Sequence, residues 1–186
     1  MEWTSTYIAS QVLTVAMYAA LAITYYLKDR RTILIINSLM CILIGAAYLL
    51  LSAYTGAAVS FVGIIRNIIF LINEKKNGKS DRISKNDIIT LLIIYFATIV
   101  VIIPAYNGFL SLLSVFATLL YTFAVWQKRT DIYKVLGIPI RLLWIFYNIF
   151  VMSLLGIILE SVVLLVTIHG FLIEWKDRKY RRQIPI

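Results

Sequence analysis

The positive charges of this chain fall into clusters that are separated by long, nearly uncharged apolar runs. Of the 18 lysines and arginines, all but Arg66 and Arg141 lie in four clusters, which are 28–31, 75–85, 128–134 and 176–182. Loops on the cytoplasmic side of a membrane keep Lys and Arg because positive flanks resist translocation. The pattern therefore predicts a polytopic membrane protein whose four basic clusters all face the cytoplasm.

The composition supports this class. Hydrophobic residues make up 61% of the chain and charged residues 15%, whereas soluble domains have about half and a quarter. The net charge of +9 is explained by basic loops facing an anionic inner leaflet, so we do not expect nucleic acid as a partner. Because Cys41 and His169 are the only cysteine and histidine, an intramolecular disulfide and a Cys/His metal site are excluded. We expect no cofactor and no metal.

Seven apolar stretches have about the 20 residues that a membrane crossing needs. They are 7–27, 33–52, 55–73, 87–104, 108–126, 134–152 and 154–175. An even number of crossings would put one basic cluster on the wrong side of the membrane. Residues 1–6 carry no Lys or Arg, so a cleavable signal peptide of the usual form is not expected. The sequence predicts an N-terminus outside the cell and a C-terminus in the cytoplasm.

Polar residues recur at the same positions after 100 residues. Asn37, Cys41 and Tyr48 of the second stretch align with Gly137, Arg141 and Asn148 of the sixth. Gly56, Ser60 and Asn67 of the third align with Gly156, Glu160 and Thr167 of the seventh. Within a stretch these positions share one helical face. This face either lines a bundle interior or makes packing contacts between helices.

The alignment predicts an all-α integral membrane domain with a 3+1+3 arrangement. Two parallel three-helix units, 7–73 and 108–175, would be joined by a cytoplasmic loop plus linker helix, 74–104. A basic cytoplasmic tail, 176–186, would follow them.

Glu160 is the acidic residue that lies well inside an apolar stretch. It is about 6 Å from the outer turn at 1.5 Å per residue. A carboxylate at that depth must be hydrated, paired or protonated. It either contacts a substrate or proton from the outside or is a structural residue bonded to a nearby Ser or Tyr.

Arg66 and Arg141 interrupt the apolar stretches about 10 Å from their cytoplasmic ends. Both side chains are long enough to extend to that face. The alternative is that they form an inner gate or contact an anion at the inner mouth of a solute path.

The other candidate substrate-binding residues are aromatic or carry an amide or hydroxyl group. Trp144, Tyr147 and Asn148 share one side of the sixth stretch, and an indole beside a carboxamide suits a small polar solute with an apolar face. An aromatic packing cluster is the structural alternative. Residues on the polar faces of other stretches complete the set: Gln11, Tyr48, Asn67 and Thr167.

Four segments carry a resemblance to a known family. They are Tyr54-Thr55-Gly56-Ala57-Ala58, Gly63-Ile64-Ile65-Arg66-Asn67, Trp126-Gln127-Lys128 and Leu143-Trp144-Ile145-Phe146-Tyr147-Asn148. With them the chain resembles the YgjV family of bacterial inner-membrane proteins over most of its length. That resemblance implies a location in the bacterial inner membrane.

A more distant architectural likeness is to the 3+1+3 transporters of the SWEET and PnuC types. Trp144 resembles a tryptophan of the SWEET pattern and Asn67 one of its asparagines. Ile44 and Thr167 stand at the partner positions and depart from that pattern, which puts specificity for sugars in doubt.

These observations favour a facilitator-type transporter of a small polar solute, such as a sugar, nucleoside or vitamin precursor, working by alternating access. The alternative is a non-transporting scaffold, sensor or partner subunit. The sequence contains no catalytic motif, so we do not expect an enzyme. The lipid bilayer is the expected partner.

Overall fold

The computed structural model describes residues 5–52, 54–77, 83–105, 109–150 and 154–183. Within these ranges the chain forms seven α-helices and a short 3₁₀ turn at Ile103–Ala105. The helices are α1 (Ser5–Thr24), α2 (Arg30–Leu50), α3 (Tyr54–Asn77), α4 (Lys85–Ile102), α5 (Phe109–Trp126), α6 (Thr130–Phe150) and α7 (Leu154–Gln183). Each helix overlaps one of the seven predicted stretches, and the all-α class is confirmed.

Six of the described helices, all but α5, are long and apolar enough to cross a membrane. The apolar part of α5 for which side chains are described is the shorter stretch Leu112–Trp126. Large apolar side chains cover the outside of the bundle, and Phe96 and Leu165 are 71% and 69% exposed. Lipid chains solvate such a surface, whereas water does not. The molecule is therefore a helical membrane protein, as predicted.

Several helix ends differ from the sequence-based limits. The second helix begins at Arg30 because Asp29 caps it, its carboxylate accepting from the Thr32 backbone N–H at 2.9 Å. Ser84 and Asp87 form a capping box at the start of α4. The last helix continues to Gln183, so the described part of the predicted tail is helical. Parts of the predicted turns, loop and tail (53, 78–82, 106–108, 151–153 and 184–186) lie outside the described residues.

The helices pack in two groups. In the first group, α2 packs against both α1 and α3. In the second group, α6 packs against both α5 and α7. Helix α4 contacts α3 and α5, and α1 packs on α7. The interior of the bundle is thus formed where the two groups meet.

The two groups bury residues at positions 100 apart. Helices α2 and α6 span 30–50 and 130–150. Their shared buried positions are Ile33, Leu34, Asn37 and Met40 in one helix and Tyr133, Lys134, Gly137 and Ile140 in the other. Helices α3 and α7 share buried positions as well, namely Ser60, Gly63, Asn67 and Phe70 against Glu160, Val163, Thr167 and Gly170. Equivalent helices therefore present equivalent faces to the interior.

Charged side chains gather at one end of the bundle, which we call the basic end. Arg30 at the start of α2 pairs with Glu74 near the end of α3, and Lys134 in α6 pairs with Glu174 in α7. Lys128, between α5 and α6, pairs with Asp87 at the start of α4, at 3.2 Å. These contacts bring the predicted cytoplasmic loops to one end. That this end faces the cytoplasm stays a prediction.

Candidate functional site

The most deeply buried ion pair joins two neighbouring helices of the second group. Arg141 of α6 donates from Nη1 to Oε2 of Glu160 in α7 at 2.9 Å, and the two side chains are only 5% and 4% exposed. The other carboxylate oxygen, Oε1, accepts from the Tyr18 hydroxyl of α1 at 2.8 Å. Of the three states expected for Glu160, the structure shows pairing. The Tyr18 hydrogen bond also links the first group to the second.

Arg66 of α3 is held in the interior in a different way. Its Nε donates to Oδ1 of Asn67 at 3.1 Å and its Nη1 to the Thr122 hydroxyl of α5 at 3.0 Å. Its guanidinium carbon lies 5.4 Å from the ring centre of Tyr121, which is cation–π distance. The side chain is buried. Arg66 and Arg141 therefore do not extend to the basic end, which was one of the two expectations for them. Their role as a gate stays a prediction.

Further hydrogen bonds cross between the groups. Tyr121 of α5 donates to Oδ1 of Asn37 in α2 at 2.7 Å. The Thr24 hydroxyl of α1 lies 2.9 Å from the Tyr133 hydroxyl of α6. Sequence reasoning did not include these tyrosines among the site residues. The only signal for them was a tyrosine within an apolar helix, which also fits simple packing.

Tyr25, which follows α1, fits between two glycines of the second group. A Cβ at Gly137 would lie 2.6 Å from Cε1 of Tyr25, and a Cβ at Gly170 would lie 2.4 Å from the Tyr25 backbone oxygen. The Tyr25 ring also stacks on Tyr133, with ring centres 5.4 Å apart. Glycine is thus required at 137 and 170 because the two groups approach closely here.

The aromatic residues of α6, for which we expected either a solute site or a packing cluster, contact one another. The rings of Trp144 and Tyr147 meet edge to face with centres 5.4 Å apart. Asn148 donates from Nδ2 to the backbone oxygen of Trp144 at 2.8 Å. All three side chains are half-buried, so they differ from the fully enclosed Glu160 pair.

The remaining candidate residues divide between the interior and the half-buried surface. Asn67 and Thr167 are fully buried. The amide nitrogen of Asn67 lies 3.9 Å from the Cys41 sulfur, and the Thr167 hydroxyl donates to its own helix at Val163. Gln11 and Tyr48 are half-buried. A shared role of these residues in substrate binding stays a prediction.

A small cavity of about 10 Å³ lies at the basic end. Its lining includes Arg30, Asn73, Glu74, Asp87 and Trp126. That volume holds about one water molecule. Among the described residues, no group of three or more His, Cys, Asp or Glu side chains is arranged to hold a metal ion.

A bundle of apolar helices with an ion pair and interhelical hydrogen bonds in its interior defines a polytopic α-helical membrane protein. Its particular family follows from comparison with known proteins. The family model Imp-YgjV, described as a bacterial inner membrane protein, matches residues 8–178, and the chain belongs to this family. The family expected from the sequence is thereby confirmed. No curated protein and no solved structure matches the chain.

Proposed function

We propose that this protein is a facilitator-type carrier of a small polar solute, built from two parallel three-helix units joined by α4. The first group, α1–α3, and the second group, α5–α7, would be the two units. The register of 100 residues in helix limits and in burial supports this arrangement. Transporters built from such repeats bind their solute near mid-membrane at the repeat interface.

The observation that carries the proposal is the polar character of the contact between the groups. Tyr18 to Glu160, Tyr121 to Asn37, and Arg66 to Thr122 are all hydrogen bonds from one group to the other. Polar side chains inside a membrane protein are costly and mark solute or ion pathways. A scaffold, sensor or partner subunit predicts instead a tightly packed interior with no central cavity, in which the same hydrogen bonds would serve helix packing.

Contacts at the basic end supply a closure that rocking of the units could release. Arg30 of the first group donates to the backbone oxygens of Trp126 and Gln127 at 3.0 and 2.9 Å. These carbonyls belong to the end of α5, where helix carbonyls lack intrahelical partners and carry partial negative charge. The guanidinium therefore holds the second group against the first at this end.

Alternating access then requires that one end opens while the other closes. Breaking the Arg30 contacts would open the basic end. Breaking the Tyr18–Glu160 bond would separate α1 from α7 in the opposite half of the bundle. Gln11, Asn67, Trp144, Asn148 and Glu160 would line the path between these two closures.

Uptake into proteoliposomes tests the proposal. We expect saturable uptake of one member of a panel of sugars, nucleosides, vitamin precursors and small organic acids. Asn67→Ala and Trp144→Ala should each lower uptake at least about tenfold, which is about 1.4 kcal/mol of lost interaction. Phe96→Ala is the matched control because Phe96 is 71% exposed on the outside of the bundle. Absence of uptake across the panel by the folded protein would favour the alternative of a scaffold, sensor or partner subunit.

A further inference from the structure

The charges inside the bundle do not balance. Arg141 is neutralised by Glu160 at 2.9 Å. Within the described residues, no carboxylate lies within ion-pair distance of Arg66. Yet Arg66 is only 5% exposed. Counting the described residues, the interior between the groups therefore carries one net positive charge.

Hydrogen-bond donors are also in surplus around Arg66. The guanidinium uses Nε and Nη1 for Asn67 and Thr122, while Nη2 donates to no residue in the described part of the chain. Close by, Asn37 has a buried Nδ2 without a partner. Tyr121 connects the two, because its ring faces Arg66 and its hydroxyl donates to Asn37. Two unused donors thus lie on either side of one tyrosine.

A buried, unpaired guanidinium is unfavourable, and a bilayer does not offset its cost. An anion bound at Nη2 of Arg66 would remove the charge imbalance and satisfy that donor. The planar guanidinium fork fits a carboxylate or phosphate group with two parallel hydrogen bonds. Because Asn67 takes the single N–H of Nε, the fork that remains is the edge formed by Nη1 and Nη2, and Nη1 has a second N–H besides the one directed at Thr122.

We propose that the solute is a small oxyanion, carrying a carboxylate or phosphate group, and that Arg66 is its counter-charge between the two groups. This proposal rests on the proposed carrier function, since it names the class of solute. Arg66 lies about halfway along α3, about 18 Å from the Tyr54 end at 1.5 Å per residue. That depth is where a carrier of this architecture holds its solute.

Two arginine variants make opposite predictions for the ligand-free protein. Arg66→Gln removes a charge that has no partner, so the melting temperature in detergent should stay the same or rise. Arg141→Gln removes a charge that is paired with Glu160 and leaves that carboxylate unpaired, so the melting temperature should fall. If Arg66→Gln melts as far below the wild type as Arg141→Gln does, then the guanidinium is a structural group and the proposal is overturned.

Binding identifies the ligand class. The probes are lactate, inorganic phosphate and lactamide, the last being the neutral counterpart of lactate. We expect lactate or phosphate, but not lactamide, to raise the melting temperature of the wild type in a saturable way. This shift should be absent in Arg66→Gln. In Arg66→Lys, which loses the bidentate geometry, the apparent affinity should fall at least about tenfold. In the exposed control Arg129→Gln the shift should be the same as in the wild type.

Equal stabilisation by lactamide, or an unchanged anion response in Arg66→Gln, would contradict the anion site. So would the absence of a response to either anion. Transport is scored separately in proteoliposomes. Uptake of a neutral solute that is unchanged in Arg66→Gln would leave the carrier standing and overturn the anion. Anion binding without uptake of any solute would support the anion site and contradict the carrier function.

Discussion

The ion pair between Arg141 and Glu160 makes a strong prediction for Glu160→Gln. The carboxamide keeps the size of the side chain and can still accept from Tyr18, but it leaves the Arg141 guanidinium charged and unpaired. Both side chains of the pair are at most 5% exposed, and removal of one partner from such a pair costs about 3–5 kcal/mol. For a chain of this length, about 2–4 °C is lost per kcal/mol. We therefore expect a melting temperature about 6–20 °C below that of the wild type.

The assay is thermal unfolding of purified protein in one detergent, followed by circular dichroism. Asp131→Asn is the matched control, because it breaks an ion pair with Arg129, whose side chain is 55% exposed, and should cost less than about 1 kcal/mol. The double variant Glu160→Gln with Arg141→Met removes the unpaired charge and should recover more than half of the loss. A loss in Glu160→Gln no greater than that in Asp131→Asn would refute the reasoning.

Three further predictions follow from the same contacts. Gly170→Ala places a Cβ 2.4 Å from the Tyr25 backbone oxygen, so the same unfolding assay should show a loss of about 1–3 kcal/mol; an unchanged melting temperature would mean that the helices are not this close. Arg30→Met removes the guanidinium contacts to Trp126 and Gln127; if these form the proposed closure, the half-buried thiol of Cys41 should react several-fold faster with N-ethylmaleimide, and an equal rate would show that Arg30 does not control access. The thiol of Lys75→Cys should react with a membrane-impermeant maleimide in inverted vesicles but not in intact cells, and the opposite result would reverse the predicted topology.

The fold could be predicted from the sequence to within a few residues at most helix ends. Apolar length and the spacing of basic clusters depend on the bilayer, which acts on each segment separately. Limits such as Arg30 and Lys85 were missed because caps at Asp29 and Ser84 begin those helices inside the basic loops. The polar register of 100 residues was visible because α2 and α6, and likewise α3 and α7, bury positions that are 100 residues apart.

The pairing of Arg141 with Glu160 was not predicted, although the information was present. The two depths were measured from opposite membrane faces. Measured from the turn that joins α6 and α7, Arg141 is nine residues before Phe150 and Glu160 six residues after Leu154. At 1.5 Å per residue these depths are about 14 and 9 Å, a difference that an arginine side chain spans.

The contacts of Arg66 could not have been predicted in this way. Thr122 and Tyr121 are more than 50 residues away along the chain, on a helix that does not follow α3 directly. Which face of α5 meets α3 depends on how the two groups pack, and no local pattern in the sequence determines that packing. A single sequence therefore placed the charges in depth but not the partners that hold them.

The central claim is that the two groups move as units, and a distance measurement between them tests it without knowledge of the solute. Spin labels would be attached at Arg31→Cys in the first group and Arg129→Cys in the second, both exposed at the basic end, with Cys41 replaced by Ala. The control pair, Arg31→Cys and Lys75→Cys, lies within the first group. In lipid nanodiscs, pulsed electron paramagnetic resonance should give two distance populations between the groups, and Arg30→Met should increase the fraction at the longer distance. The control pair within the first group should give one population. A single narrow distance between the groups that Arg30→Met leaves unchanged would contradict the account.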